Sequence, residues 1–316
     1  MDNSRTQEFI NGRARLEAHH RGCVATIGSF DGVHRGHQAL VQRVSKVAGS
    51  LNLPSLVMIF EPQPNEYFSK ERIPARLMRL REKVAALFDA GIDRVLCIRF
   101  NEGFRSLTAR DFVEQVLVNG IGVKHLIIGD DFRFGCDRAG DFALLEAAGK
   151  EFGFAVENTR TQEEDGERIS STRIRHLLEE DKLQQVAALL GRAYTICGRV
   201  IYGKQLGRTI GIPTANIGLG RYRSPVQGVY AVKLHVGGRA YPAVANVGVK
   251  PTVEGNGRPV LEVHAIDQKL DIYGQFVQVH FFKKLRKEKH FSSLQELKVQ
   301  IAQDIEEAKC CFNLKH

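Results

Sequence analysis

A parallel α/β sheet domain followed by an antiparallel β-barrel with a closing helix is the fold this sequence predicts, on three observations. Strand-period and helix-period apolar runs alternate through the first half of the chain. That alternation stops after the helical stretch Leu183–Leu190, where short strand-like runs between Gly- and Pro-rich turns take over. A last segment carries apolar residues at three- and four-residue intervals, as one face of a helix does.

In the first half, strands are expected at 24–27, 56–60, 95–100, 125–129 and 154–157. Helices are expected between them at 38–48, 75–88, 109–118 and Phe142–Phe152. The βαβα order calls for a parallel sheet covered by helices, with ligands gathered at the carboxyl ends of the strands. In the second half, strands at 194–201, 229–235, 241–246, 261–266 and 276–282 are short and regular enough to close on themselves. Ser293 with Glu296 reads as a capping box, and Leu294, Leu297, Ile301 and Ile305 form a stripe expected to pack on a core. The two domains are expected to span 15–185 and 186–316.

Composition narrows the class. An apolar share of 43% over 316 residues excludes a disordered chain and suits two globular cores. Lys and Arg exceed Asp and Glu by 45 − 36 = 9, which favours anionic ligands, nucleotides or nucleic acid, without choosing among them. The dense basic run Lys283-Lys-Leu-Arg-Lys287 reads as a solvated face. Six cysteines without a CxxC pair read as reduced thiols. The polar N-terminal segment has no apolar h-region and no run approaches membrane-spanning length, so a cytoplasmic chain without a membrane partner is expected.

The most informative segment is GSFDGVHRGH at 28–37. A strand ends, glycines let the backbone approach a ligand, and a helix starting near Arg35 turns its unpaired N–H groups toward an anion. His34 and His37, one turn apart, place two rings over the same phosphate chain. The spacing departs from HExxH, from the P-loop and from the dinucleotide fingerprint, which weakens zinc and Rossmann-dinucleotide readings. Two further segments fall at expected strand ends, EPQPNEYF at 61–68 and GDDFRFG at 129–135. ISSTRIR at 169–175 reads as a helix start. Arg173 in its first turn, beside Ser171 and Thr172, implies an anion there, since cations are otherwise unfavourable at that end.

Together these motifs resemble the HIGH-type nucleotidyltransferases, and their order and spacing resemble the adenylyltransferase half of the bacterial bifunctional riboflavin kinase/FAD synthetases. The resemblance implies a Rossmann-like sheet domain. It also implies that Gly28, Phe30, Asp31, Gly32 and Asp131 bind ATP together with His34, His37, Ser171, Thr172 and Arg173, the two histidines and Arg173 stabilising the phosphates. Gln63 stands where many relatives carry histidine, and it is given no catalytic role.

In the second half, GKQLGRTIGIPTAN at 203–216 combines glycines, basic residues and hard oxygen ligands without a Walker pattern. Downstream, Glu262 places a carboxylate among apolar strand neighbours, on the face that His264 shares. With NVGVKPT at 246–252, DIYG at 271–274 and LRKE at 285–288, these segments resemble the riboflavin kinase domain along its whole length. The resemblance implies that Gly203, Gly207, Arg208, Gly211, Thr214 and Asn216 bind ATP, and that Thr214 and Asn216 hold Mg²⁺. Glu262 is implied as general base, and Arg286 and Phe291 as flavin contacts. ATP, riboflavin, FMN and FAD are then the small-molecule partners, and the chain is expected to be a monomer or weak oligomer. An RNA partner is not expected, because ISSTRIR takes the place of a KMSKS segment and no basic, aromatic-interleaved RNA motif occurs. A non-catalytic flavin-binding regulator is the other alternative, disfavoured because both motif sets keep their chemical groups.

Overall fold

In the computed structural model, six parallel strands form the first sheet. These are β1 (Glu8–Asn11), β2 (Cys23–Ile27), β3 (Ser55–Glu61), β4 (Arg94–Arg99), β5 (Val123–Gly129) and β6 (Ala155–Thr159), in the order β1-β4-β3-β2-β5-β6. The structure describes residues 6–68, 73–159, 162–164, 166–202, 211–220, 223–249 and 259–314. β2 is buried at all five positions, as a central strand covered on both faces requires. The chain runs from β2 through β3 to β4 on one side and returns to β5 and β6 on the other. The crevice beyond the carboxyl end of β2 is therefore a topological switch point, and it receives residues 28–37.

Contacts divide the chain into two units, Met1–Pro74 with Leu80–Ser170, and Ala75–Arg79 with Ser171–His316. In the first unit, α1 (Arg35–Ser50) follows β2, and α2 (Pro64–Phe68), α3 (Leu80–Asp89) and α4 (Glu102–Arg105) come in turn. The last helix of the unit, α6 (Phe142–Phe152), is capped by the Asp141 carboxylate, which accepts from Leu144 N–H at 3.0 Å, and ends at Gly153 with φ 76°. Preceding it, the expected single helix at 109–118 is a short α5 (Ala109–Asp111) running into a π-helix, Phe112–Val118. The π segment buries Phe112, Val113, Val116 and Leu117. The expected helix at 75–88 is present only as α3. Its first five residues are instead drawn out along the second unit, where Arg175 Nε donates to the Ala75 carbonyl at 2.7 Å and Arg79 Nη2 to the Cys197 carbonyl at 2.6 Å. β1 was not expected, since its four residues lie in the polar N-terminal segment and pair only along one edge, with β4. A small hairpin, β7 (Glu163–Glu164) with β8 (Glu167–Arg168), completes this unit.

The second unit opens with α7 (Ser171–Glu179) and α8 (Leu183–Leu190), which stops at Gly191 with φ 71°. Its barrel comprises β9 (Thr195–Ile201), β10 (Ala215–Ile217), β11 (Gly228–Val236), β12 (Arg239–Val249), β13 (Pro259–Ala265) and β14 (Phe276–Arg286). All its pairings are antiparallel and they close in the order β10-β13-β12-β11-β14-β9. β10, three residues of which the first two end the PTAN segment, is the strand that sequence periodicity could not register, and it closes the barrel between β9 and β13. Along β13, Leu261, Val263 and Ala265 are buried while Glu262 and His264 are half-buried on the opposite face.

The closing helix α9 (Leu294–Cys311) departs from expectation in two respects. The Ser293 hydroxyl caps Glu296 N–H at 3.2 Å, but the Glu296 carboxylate takes its bonds from Ser292, so the box is displaced by one residue. The packed face begins lower than Leu294, which is 61% exposed. Ile305, Ala308, Cys311 and Phe312 pack against Val229, Ala231 and Val244 instead. The basic run is only partly a solvated face: Lys283 and Lys287 are exposed, while Lys284 and Arg286 are half-buried. Arg286 forms a two-pronged pair with buried Asp304 at 2.8 Å, Lys284 pairs with Asp181 at 2.9 Å and Lys283 with Glu307 at 3.0 Å. All six cysteines are free thiols.

Candidate active sites

The first site is built on the turn between β2 and α1. Phe30 (φ 47°), Gly32 (φ 89°) and Val33 (φ 40°) take left-handed conformations, which wrap the backbone tightly over the strand end. A Cβ on Gly28 would lie 3.1 Å from the Phe30 ring, so glycine there lets that ring fold back and become buried. His34 is the N-cap of α1 and its Nδ1 accepts from His37 N–H at 3.4 Å. That bond leaves Nε2 of His34 as the nitrogen able to donate to a phosphate. The two imidazoles stack with centroids 3.6 Å apart. Burial, with help from His34, Lys83 and Arg168, holds His37 well below the usual histidine range. Burial thus favours the neutral imidazole. Its Nδ1 is buried and has no hydrogen-bond partner.

Two further cations near this turn were not singled out by sequence reasoning. Lys83, on α3, is 1% exposed and donates from Nζ to the Ser29 carbonyl at 2.5 Å. Arg168 pairs with Asp131 at 2.6 Å. No motif includes Lys83; its only signal was a lysine at an apolar position of a helix face, beside Glu82, which is also buried. Gln63, after the carboxyl end of β3, is 7% exposed and its Nε2 donor is buried without a partner. Asp31 is buried as well. Ser171, Thr172 and Arg173 open α7, so Arg173 does lie in a first helical turn, and contacts group these residues with the second unit.

The second site lies across the barrel wall. Strand register places Asn216 of β10 opposite Glu262 of β13, and Glu262 opposite Asn246 of β12. The same row continues to Val229 of β11 and Arg286 of β14. The Oδ1 atoms of Asn216 and Asn246, on either side of the carboxylate, are both buried without a hydrogen-bond partner. Thr214 stands two residues before Asn216, immediately ahead of β10. His264 is anchored by its Nδ1, 2.8 Å from the Pro213 carbonyl, which ties β13 to the PTAN segment. Phe291 lies under the Arg286 guanidinium at 5.7 Å. Gly211 has φ 79°. Gly203, Gly207 and Arg208 lie outside the described residues.

Family models match both halves, FAD synthetase over residues 16–173 and riboflavin kinase over 190–312. The chain is 52% identical over 309 residues to the bifunctional riboflavin kinase/FMN adenylyltransferase of Escherichia coli (strain K12), covering 97% of this chain and 98% of that one. The chain belongs to this bifunctional family. The Pseudomonas fluorescens member is 49% identical over 302 residues, 96% of this chain and 97% of its own. A crystal structure from Streptococcus pneumoniae, described as a macrolide-efflux protein, has a TM-score of 0.80 at 30% identity, covering 96% of this chain and 98% of that one. Among the described residues, no helix is long and apolar enough to cross a membrane. Within the family frame, the sheet unit is the FAD synthetase half and the barrel the riboflavin kinase half.

Proposed function

We propose that the chain phosphorylates riboflavin to FMN in its barrel and then adenylylates FMN to FAD in its sheet unit, releasing pyrophosphate. The observation that carries this reading is the full-length match of both halves to one bifunctional family, with each half keeping its chemical groups. Residues 15–185 are assigned to adenylyl transfer and 186–316 to phosphorylation, the helices at 171–190 being grouped with the barrel by contact.

In the barrel the ribityl 5′-hydroxyl is a neutral alcohol and a poor nucleophile. Glu262 takes its proton as the oxygen bonds to the γ-phosphorus of ATP and ADP departs. Thr214 and Asn216 are the ligands for Mg²⁺. The buried, unpartnered Oδ1 of Asn216 fits a hard cation, which wants oxygen donors. When bound, that ion neutralises phosphate charge. Gly203, Gly207, Arg208 and Gly211 hold the phosphate chain, and Arg286 with Phe291 supports the flavin ring.

In the sheet unit, the FMN phosphate is already largely dianionic at neutral pH, its second pKa being about 6, so no base is needed for attack on the α-phosphorus. Repulsion is the obstacle. Two unit anions about 4 Å apart repel by roughly 4 kcal/mol at an effective dielectric near 20. The α1 N-terminus, donation from His34 and His37, and Arg173 oppose it, while Gly28, Phe30, Asp31, Gly32, Asp131, Ser171 and Thr172 shape the ATP site. Incubating the full chain with riboflavin, ATP and Mg²⁺ and separating riboflavin, FMN and FAD by chromatography tests the reading. FMN followed by FAD is expected. Absence of both products refutes it.

A further inference from the structure

We propose that Asn246 is a specificity-determining residue of the kinase site, accepting a hydrogen bond from the polyol chain of the flavin beside the base Glu262. The inference rests on the kinase reading above. Its ground is the row of side chains across the barrel wall. Glu262 stands between Asn216 and Asn246 by register. Neighbouring strands lie about 4.8 Å apart, so each step along the row is the length of a short stretch of carbon chain.

The two asparagine oxygens call for different partners. Both Oδ1 atoms are shut off from water and neither accepts a hydrogen bond. A buried acceptor left so is costly unless a ligand supplies the donor. Asn216 has Thr214 two residues before it, and the pair offers hard oxygens to a cation. Asn246 has no such companion. Its row neighbours are Glu262 on one side and apolar, buried Val229 on the other, and neither gives it a hydrogen. The alcohol that surrenders its proton to Glu262 belongs to a chain bearing further hydroxyls. Those hydroxyls supply the missing donor when the chain runs from Glu262 over β12. Continuing along the row leads to Arg286, paired with Asp304 and with Phe291 against its guanidinium, an aromatic place for the flavin ring. The row thus orders the substrates: nucleotide phosphates over β10, the reacting hydroxyl at β13 and the polyol at β12.

The test compares two flavins. Riboflavin carries the polyol, whereas lumiflavin has the same ring system without it. Their affinities for the full chain are measured by flavin fluorescence in the presence of ADP and Mg²⁺, for wild type, Asn246→Ala and Asn246→Ser. Asn246→Ala should weaken riboflavin about tenfold, the size one neutral hydrogen bond supports, and leave lumiflavin unchanged. Asn246→Ser keeps an acceptor and should recover part of the loss. Circular dichroism and thermal melting of the same samples report whether the variant is folded; if the alanine variant fails that check, the serine variant decides by the same riboflavin-to-lumiflavin ratio. Equal weakening of both flavins, or an unchanged ratio in the folded variant, overturns the inference. A wild type that binds neither flavin and makes no FMN refutes the kinase reading instead.

Discussion

Replacing Lys83 with methionine separates the chemistry of the sheet unit from its stability. The ammonium is 1% exposed and donates at 2.5 Å to the carbonyl of Ser29, in the turn whose left-handed residues carry His34 to the start of α1. A hydrogen bond from a charged donor contributes about 1.5–3 kcal/mol. If that energy holds the turn in its reactive shape, its loss lowers FMN adenylylation roughly 10- to 150-fold. Methionine fills a similar volume without a buried charge, so the fold should lose little and the melting temperature should change by only a few degrees. His37 also reports on the change. Lys83 is among the charges holding it below its usual range, so its imidazole should titrate at higher pH in Lys83→Met, as followed by NMR. Riboflavin phosphorylation in the same chain serves as internal control. An unchanged kcat/KM for FAD formation, with His37 titrating as before, would refute the assignment and leave Lys83 a structural residue only.

His37→Ala should stop FAD formation while FMN accumulates, read by chromatography, since the side chain belongs to the sheet unit; equal loss of both products would count against it. Glu262→Ala and Glu262→Gln should each block riboflavin phosphorylation while FAD synthesis from supplied FMN continues, because only the alcohol needs a base. A fragment of residues 186–316 should make FMN but no FAD, and one of 171–316 should be the more stable. The longer piece keeps Asp181, which pairs with Lys284 at 2.9 Å and accepts from the Tyr230 hydroxyl at 3.2 Å, and denaturant midpoints for the two measure the difference. Burial, then His235 and Lys233, lowers the His280 imidazole to about 4 from 6.5. The unfolded chain takes that proton first. Barrel stability is therefore intact above about pH 6.5 and falls as pH drops toward 4, and thermal melts of His280→Gln should show a shallower acid slope.

The architecture was legible where a strong period or a motif carried it. Every central strand of the sheet, and the five longer barrel strands, declared themselves by apolar runs between turns. β1 and β10 did not, because four and three residues are too few for alternation to register, and what makes them strands is a waiting partner edge. The strap at 75–79 failed as a helix for a related reason: Arg175 donates to its Ala75 carbonyl, and its own Arg79 donates to the Cys197 carbonyl. In the sequence, His34 and His37 were singled out by type and spacing, and Asn216 and Glu262 by the resemblance to the riboflavin kinase domain. Lys83 and Asn246 were not. The significance of a buried ammonium or an orphaned amide oxygen lies in its surroundings, and these exist only after folding.

The row across the barrel wall gives the strands a parity. Side chains alternate faces, so inserting or deleting one residue in β13 between the turn and Glu262 would exchange its carboxylate with Leu261 or Val263, sending a charge into the barrel and an apolar group to the substrates. A two-residue change keeps the faces and moves Glu262 one row along, out of line with Asn216 and Asn246. The kinase half should thus tolerate length variation in the turns beyond its strand ends, while within β10, β12 and β13 even a single added residue should silence phosphorylation and leave adenylyl transfer running on supplied FMN.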